Sequence, residues 1–268
     1  MSSPLHPDYA VLDQPSVLER LFHPRPEWSG VFGTTPAEDV SIDVGEGVQI
    51  GGRLHTASKT APTLLFFHGN GEIVADYDDL GPFYKGMGIN FLPVDYRGYG
   101  RSTGTPTVTA IMRDCHTIFA FARDWLGKYR CAGPLVVMGR SLGSASALEL
   151  ASHYEKDIAG LIVESGFAYL VPLLELLGVD AEALGFREEE GFHNVDKIRG
   201  FQKPTLIIHA EGDHIIPFSD GQALYDASPA REKTLLKIPG ANHNDIFMRG
   251  FSAYMEAMKA LMEKVKAS

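Results

Sequence analysis

The chain has few cysteines and no long hydrophobic run, and each absence excludes a class of protein. Only two cysteines, Cys115 and Cys131, occur among 268 residues. Two cysteines cannot build a disulfide scaffold, and these two have no metal-ligand spacing, so a reducing compartment is predicted. No apolar run reaches the roughly 18 residues that a membrane-spanning helix needs. The sequence therefore predicts no integral membrane segment.

An excess of basic residues is also missing. The chain carries 24 Lys and Arg against 34 Asp and Glu, a net charge of −10. The basic residues are scattered, so we expect no nucleic-acid partner. Residues 1–7 lack the basic and apolar regions of a secretory signal, so a cytoplasmic location is expected. The oligomeric state is not readable from the sequence.

Short apolar runs alternate with helical stretches along most of the chain. Strand patterns near 38–44 and 48–55 come first and are joined by a glycine-containing turn at 45–47. Further strands are predicted at 63–67, 89–94, 135–138, 158–163, 205–209 and 234–238. Continuous apolar strands separated by helices predict an α/β fold, with a mostly parallel central sheet and helices on both faces.

The length suits one large α/β domain over residues 1–268. Within it, residues 1–37 are interpreted as an N-terminal arm that contains several prolines around a short helical pattern. A short cap segment of about 166–203 follows the sixth strand. Because such segments lie near the active site, we expect Phe167, Leu170 and Leu173, with Ile215 from a later loop, to line a substrate pocket. The alternative for the apolar cap residues is that they only pack the cap together and contact no substrate.

The pattern Gly-x-Ser-x-Gly occurs twice, around Ser102 and around Ser141. A nucleophile elbow needs a strand that runs directly into a tight turn and then into a helix. Ser141 meets this requirement, since a buried-strand pattern ends at Gly139 and a helical stretch rich in small residues follows. Ser102 lies several residues beyond its strand and is followed by more loop. Ser141 is therefore the predicted nucleophile.

A serine hydroxyl needs a base to remove its proton and an acid to orient that base. Enzymes with a nucleophile elbow order these residues as serine, acid and histidine, each in a loop after a strand. His243 is the one histidine after the last predicted strand, and Asp213 follows the strand before it. These two residues are the predicted base and acid. Glu164, at the end of an earlier strand, is the reserve acid, and Glu211 is a weaker alternative.

The loop after the first parallel strand contains Asn70. Its backbone N–H and that of Leu142, the residue after the nucleophile, are the predicted oxyanion donors. His209 and His214 flank the acid, but their spacing is not that of a metal site, so no metal is predicted. The proposed chemistry needs no cofactor.

Five segments together resemble the serine aminopeptidase-like branch of the α/β-hydrolase superfamily, which includes depalmitoylase-like proteins. They are residues 67–71, 95–102, 139–143, 212–217 and 243–245, which read FHGNG, DYRGYGRS, GRSLG, GDHIIP and HND. The resemblance runs from about residue 45 to 265. It implies an α/β-hydrolase fold and a Ser-His-Asp triad, and it makes the segment around Ser102 part of the family's structure.

The predicted function is a serine hydrolase that acts on carboxylic esters or thioesters through an acyl-enzyme. A small apolar cap favours a small-molecule acyl substrate over a long peptide. Two alternatives stay open. An aminopeptidase or amidase with the same triad would need an acidic group near Ser141 to hold the substrate ammonium, and Glu164 is the candidate. A non-catalytic binding protein that retains the fold is the other.

Overall fold

The apolar runs of the sequence form an eight-stranded sheet in a computed structural model that describes residues 9–27, 37–128 and 131–267. The strands are β1 (Glu38–Asp43), β2 (Gln49–Leu54), β3 (Thr63–Phe67), β4 (Asn90–Val94), β5 (Leu135–Arg140), β6 (Gly160–Glu164), β7 (Thr205–Ala210) and β8 (Lys233–Ile238). Residues 1–8 and 28–36 of the predicted arm lie outside the described residues.

The order of the strands in the sheet is β1-β2-β4-β3-β5-β6-β7-β8. The hairpin β1–β2 is antiparallel and joins β4 antiparallel, whereas β4, β3 and β5 to β8 run parallel. The predicted fold class is confirmed. Because the parallel strands end at one edge of the sheet, the loops after β3, β5, β7 and β8 meet there.

Eight α-helices are found among the described residues. They are α1 (Pro15–Leu21), α2 (Gly81–Gly86), α3 (Val108–Lys128), α4 (Gly143–His153), α5 (Leu170–Leu176), α6 (Asn194–Arg199), α7 (Phe218–Ala227) and α8 (Ile246–Ala267). Apolar residues of α3 and α4 pack on one face of the sheet, and those of α2 and α8 pack on the other. Alternate side chains of each strand enter the two cores, since successive residues of a strand point to opposite faces. None of the described helices is both long and apolar enough to cross a membrane.

The predicted cap corresponds to α5, a short 3-10 turn at Glu188–Glu190 and α6. Its second half is part of the body of the fold. Lys197 of α6 places its Nζ 2.6 Å from the Glu149 Oε2 of α4, and both side chains are buried. Asn194 donates a hydrogen bond from Nδ2 to the Phe167 carbonyl at 2.8 Å. The predicted cap of about 166–203 is therefore anchored at α6 by a buried ion pair to α4.

Candidate active site

Ser141 lies in a tight turn between β5 and α4. Its φ is +50°, in the left-handed region that residues with a side chain rarely adopt. Gly139 and Gly143 make the turn possible, because a Cβ on Gly139 would lie 2.2 Å from the Gly143 carbonyl oxygen and one on Gly143 would lie 2.1 Å from that of Phe67. The strand, turn and helix of a nucleophile elbow are therefore present around this serine.

Ser141, His243 and Asp213 form one hydrogen-bonded line. The Ser141 Oγ is 3.0 Å from Nε2 of His243, and the His243 Nδ1 is 2.8 Å from Oδ2 of Asp213. His243 comes from the loop after β8, and Asp213 comes from the loop after β7. Since a carboxylate only accepts hydrogen bonds, Asp213 holds the proton on Nδ1 and leaves Nε2 to accept from the serine hydroxyl.

The surroundings of Asp213 keep its carboxylate ionised. Burial raises the pKa of Asp213, but the hydrogen bond and electrostatic interaction with His243 and the N–H groups of Ile215 and Ile216 outweigh it. The two amides donate to Oδ1 at 3.0 and 2.9 Å. The net result is a pKa below the ordinary value for an aspartate, as suits a group that orients an imidazole.

The side chains of the other candidates from the sequence are not part of this hydrogen-bonded line. The Ser102 Oγ accepts a hydrogen bond from the Gly51 N–H at 2.8 Å, which anchors its loop to β2. Glu211 is exposed and accepts from the Gly240 N–H. Glu164 accepts hydrogen bonds from Arg140 and Tyr254, and these occupy both of its carboxylate oxygens.

The predicted oxyanion donors follow β3 and β5 in the sheet. Leu142 is the residue after Ser141 and precedes the first turn of α4. Asn70 is fixed by its side chain, whose Oδ1 accepts from the Tyr99 hydroxyl at 2.7 Å and from the His23 N–H at 2.8 Å. Neither the Asn70 nor the Leu142 N–H takes part in the hydrogen bonds found among the described residues.

Arg140 is a residue of this site that the sequence interpretation missed. Its Nη2 donates to the carbonyl of His243 at 2.8 Å, and its Nε donates to Glu164 at 3.1 Å. Its Nη1 lies 2.5 Å from Oε1 of Glu72. The only signal in the sequence is a charged residue at the end of an apolar strand pattern, which is unusual for a position that becomes buried.

A cavity of about 290 Å³ lies beside Asp213, between α5 and the loop after β7. Its wall is formed by Phe167, Tyr169, Pro172, Leu173, Leu176, Asp213, His214, Ile215, Ile216, Pro217 and Asp220. Three of the four predicted pocket residues are at this wall, and Leu170 is not. Leu170 is 1% exposed in the core, since it shares the inner face of α5 with Leu174, one helical turn away.

One group of donors among the described residues has the composition of a metal site. It consists of His116, Glu149 and His153, which lie between α3 and α4. Lys197 already supplies the counter-charge of Glu149. The group does not include Asp213, His209 or His214.

Residues 58–178 match the family described as serine aminopeptidase, S33. A curated relative, alpha/beta hydrolase domain-containing protein 17B of Homo sapiens, is 32% identical over 210 residues. With the parallel sheet and the elbow around Ser141, these matches decide the family. The chain belongs to the α/β-hydrolase superfamily.

The matches with curated relatives of this α/β hydrolase are partial. The match to protein 17B covers 75% of this chain and 66% of that protein. Alpha/beta hydrolase domain-containing protein aho-3 of Caenorhabditis elegans is 30% identical over 208 residues, which cover 75% of this chain and 57% of that protein. The chain thus spans less than two thirds of the length of these relatives.

Solved structures share the fold over most of the α/β hydrolase. The Pyrococcus furiosus esterase Pf2001 has a TM-score of 0.73 at 17% identity, covering 90% of this chain and 98% of that one. A soluble variant of monoglyceride lipase from Saccharomyces cerevisiae has a TM-score of 0.70 at 20% identity, with 90% and 98% coverage. At these identities the likeness establishes the fold alone.

Proposed function

We propose that this α/β hydrolase cleaves carboxylic esters or thioesters through an acyl-enzyme intermediate on Ser141. The observation that carries the proposal is the line of hydrogen bonds from Ser141 through His243 to Asp213. A hydroxyl next to a base that is itself oriented by a carboxylate is the arrangement that activates a serine for attack on a carbonyl.

In the proposed reaction, His243 Nε2 takes the proton of Ser141 as Oγ forms a bond to the substrate carbonyl carbon. The negative charge that develops on the carbonyl oxygen is stabilised by the N–H groups of Asn70 and Leu142. The bond to the leaving alcohol or thiol then breaks, and His243 returns the proton to that leaving group. Water, activated by the same histidine, attacks the acyl-enzyme and releases the carboxylic acid.

The composition of the cavity supports an acyl substrate. Its α5 side presents apolar side chains, including Leu173 and Leu176, and its other side is the loop that carries Asp213. An apolar wall beside the acid of the proposed triad suits an acyl chain better than a charged group. The cavity volume lies near the lower end of the range for small-molecule sites, which favours a small acyl group.

The aminopeptidase alternative has less support in the site. It requires an acidic side chain near Ser141 that is available to hold a substrate ammonium. Glu164 accepts hydrogen bonds from Arg140 and from the Tyr254 hydroxyl, and Glu72 pairs with the same arginine. A buried carboxylate that already has a cationic partner has little to gain from a second one.

Labelling with a fluorophosphonate probe tests the nucleophile. The second Gly-x-Ser-x-Gly serine offers a matched control: we expect the wild type and Ser102→Ala to label and Ser141→Ala to remain unlabelled. A wild type that fails to label would favour a non-catalytic protein, and labelling of Ser141→Ala would refute the assignment.

A substrate panel tests the class of bond. Initial rates are measured on p-nitrophenyl esters, acyl-CoA thioesters and aminoacyl amides, with Ser141→Ala as the background. Turnover of esters or thioesters is expected, and turnover of the amides alone would overturn the proposed substrate class in favour of an amidase.

A further inference from the structure

The guanidinium of Arg140 connects three loops at the carboxyl edge of the sheet. Arg140 directly precedes the nucleophile, and its side chain is only 10% exposed. It contacts the base loop at the carbonyl of His243, the end of β6 at the Glu164 carboxylate, and the loop after β3 at the Glu72 carboxylate. These three partners are not adjacent to one another in the sequence. The planar fork of an arginine presents several donors at fixed angles, so one side chain can fix all three.

Glu72 carries this connection to the oxyanion loop. Its Oε2 accepts a hydrogen bond from the Gly69 N–H at 2.6 Å and another from the Tyr77 hydroxyl at 2.6 Å. Gly69 directly precedes Asn70, the predicted oxyanion donor. The guanidinium also packs on this loop, because a Cβ on Gly69 would lie 2.7 Å from Arg140 Nη1. The position of the Asn70 N–H therefore depends on the Arg140–Glu72 pair.

Glu164 carries a second connection to the nucleophile. Its main-chain carbonyl accepts the N–H of Ser141 at 2.9 Å, and its side chain accepts from Arg140 and from the Tyr254 hydroxyl of α8 at 2.5 Å. Glu164 thus holds the backbone of the elbow through its main-chain carbonyl and the helix that follows the base through its carboxylate.

We propose that Arg140 is a positioning residue that fixes the base, the nucleophile and the first oxyanion donor relative to one another. The inference rests on the proposed function, since it concerns how that site is assembled. Arg140 does not face the reacting atoms in this arrangement and acts through His243, Glu72 and Glu164. A displacement of about 1 Å in such a site costs on the order of 100-fold in rate.

A role in stability alone does not account for this arrangement. One arginine and two carboxylates placed in a mostly buried site carry a desolvation cost, and apolar residues of similar volume often serve stability as well or better. Arg140 instead contacts the carbonyl of His243, which is the base, and Glu72, which lies in the loop of the predicted oxyanion donor. If Arg140 positions the site, its substitution should slow the reaction more than the accompanying loss of stability explains.

The test compares Arg140→Lys and Arg140→Met with matched substitutions of another buried arginine. Arg97 pairs with Asp114 through Nε at 2.6 Å and Nη2 at 3.0 Å, and its partners are outside the three loops. The measurements are the second-order rate constant for fluorophosphonate labelling, kcat and KM on p-nitrophenyl acetate, and the Tm.

For both Arg140 variants we expect labelling and kcat to fall by about 10- to 100-fold, with KM within about threefold of wild type. Arg97→Lys and Arg97→Met are expected to lower the Tm as much as the corresponding Arg140 variants do. Their labelling rate constants are expected to stay within about threefold of the wild-type value. Labelling of both Arg140 variants at the wild-type rate would overturn the inference and leave the proposed function standing. A wild type that does not label would overturn the proposed function itself.

Glu72→Gln keeps the test decisive if Arg140→Met does not fold. This variant retains the arginine and removes the charge through which it holds the oxyanion loop, so labelling is expected to slow by about tenfold. If both residues act through the same loop, adding Glu72→Gln to Arg140→Lys slows labelling little further. If the double variant instead slows labelling by the product of the two single-variant factors, the two residues act independently and the proposed connection is contradicted.

Discussion

At the scale of single residues, the backbone of Ser141 is held in a conformation that its side chain disfavours. The positive φ is maintained by three hydrogen bonds: the Ser141 N–H donates to Glu164, and the Ser141 carbonyl accepts from the Ser144 N–H and from the Ser144 hydroxyl at 2.6 Å. Strain of this kind persists only where the surrounding contacts over-determine the backbone. It places the hydroxyl at the tip of the turn, within reach of His243.

Replacing Ser141 by glycine should stabilise the protein relative to Ser141→Ala. The left-handed conformation costs a residue with a Cβ roughly 1–2 kcal/mol, and the greater entropy of glycine in the unfolded chain offsets about 0.4–1 kcal/mol of that gain. The free energy of unfolding, measured in urea, is therefore expected to be higher for Ser141→Gly by about 0.5–1 kcal/mol. An alanine variant as stable as the glycine variant would mean that the elbow is not strained in solution.

Asp213→Asn should reduce kcat on an ester substrate by about 10³- to 10⁴-fold, because an amide in this position favours the wrong imidazole tautomer. Glu211→Gln is the matched control, since Glu211 is two residues away and is exposed. That variant is expected to keep kcat within about threefold of the wild type. If Asp213→Asn retained more than a tenth of the activity, the acid would have to be assigned to another carboxylate.

The sequence brings Ser141, Asp213 and His243 to one site because each follows a strand of a parallel sheet, whose carboxyl ends share an edge. The partners of Arg140 could not be found in the same way. Glu72 and Glu164 lie far apart in the chain, as does Tyr254, whose hydroxyl donates to Glu164, and the three come together only through strand order and the packing of α8. No local pattern records such contacts, so the interpretation of Glu164 as a reserve acid missed its pairing.

At the scale of secondary-structure elements, the strands are predicted well and the faces of short helices poorly. A strand buried on both sides appears as a continuous apolar run, so the observed strands begin and end within about two residues of their predicted bounds. β5 extends past its apolar run to Arg140, because tertiary partners satisfy that guanidinium. In α5, four leucines in seven residues do not indicate which face meets the core, so the sequence alone does not distinguish Leu173 at the cavity wall from Leu170 in the core.

Leu173→Trp should narrow the cavity between α5 and the Asp213 loop. We expect kcat/KM for p-nitrophenyl octanoate to fall by at least about tenfold while that for the acetate changes by less than about threefold, since an acetyl group does not need the cavity. Glu175→Trp places the same bulk on an exposed position of α5, away from the cavity wall, and is the control. If kcat/KM changes by the same factor for both esters, the octanoyl chain does not bind in the cavity between α5 and the Asp213 loop.

At the scale of the whole molecule, a buried ion pair connects the N-terminal segment to the body of the fold. Lys197 of α6 pairs with Glu149 of α4 and lies 3.3 Å from the hydroxyl of Tyr9. His116 of α3 places Nε2 3.2 Å from the same carboxylate. Burial raises the pKa of Glu149, but His116 and Lys197 outweigh it and hold the pKa well below the usual range for a glutamate.

Because the pKa of Glu149 is lower in the folded state, its contribution to stability is complete above the unfolded pKa, near 4.3, and is lost as the pH falls toward the folded value. Lys197→Met leaves the carboxylate buried without its main counter-charge, which should cost about 3–5 kcal/mol at pH 7. At pH 4 the difference should shrink, since protonation neutralises Glu149 more readily in the variant. Urea unfolding at pH 7 and pH 4 measures the free energy of unfolding of the wild type and the variant. Lys237→Met, which removes an exposed ion pair with Glu211, is the control. A penalty that is equal at the two pH values would mean that Lys197 stabilises the fold by packing and not by charge.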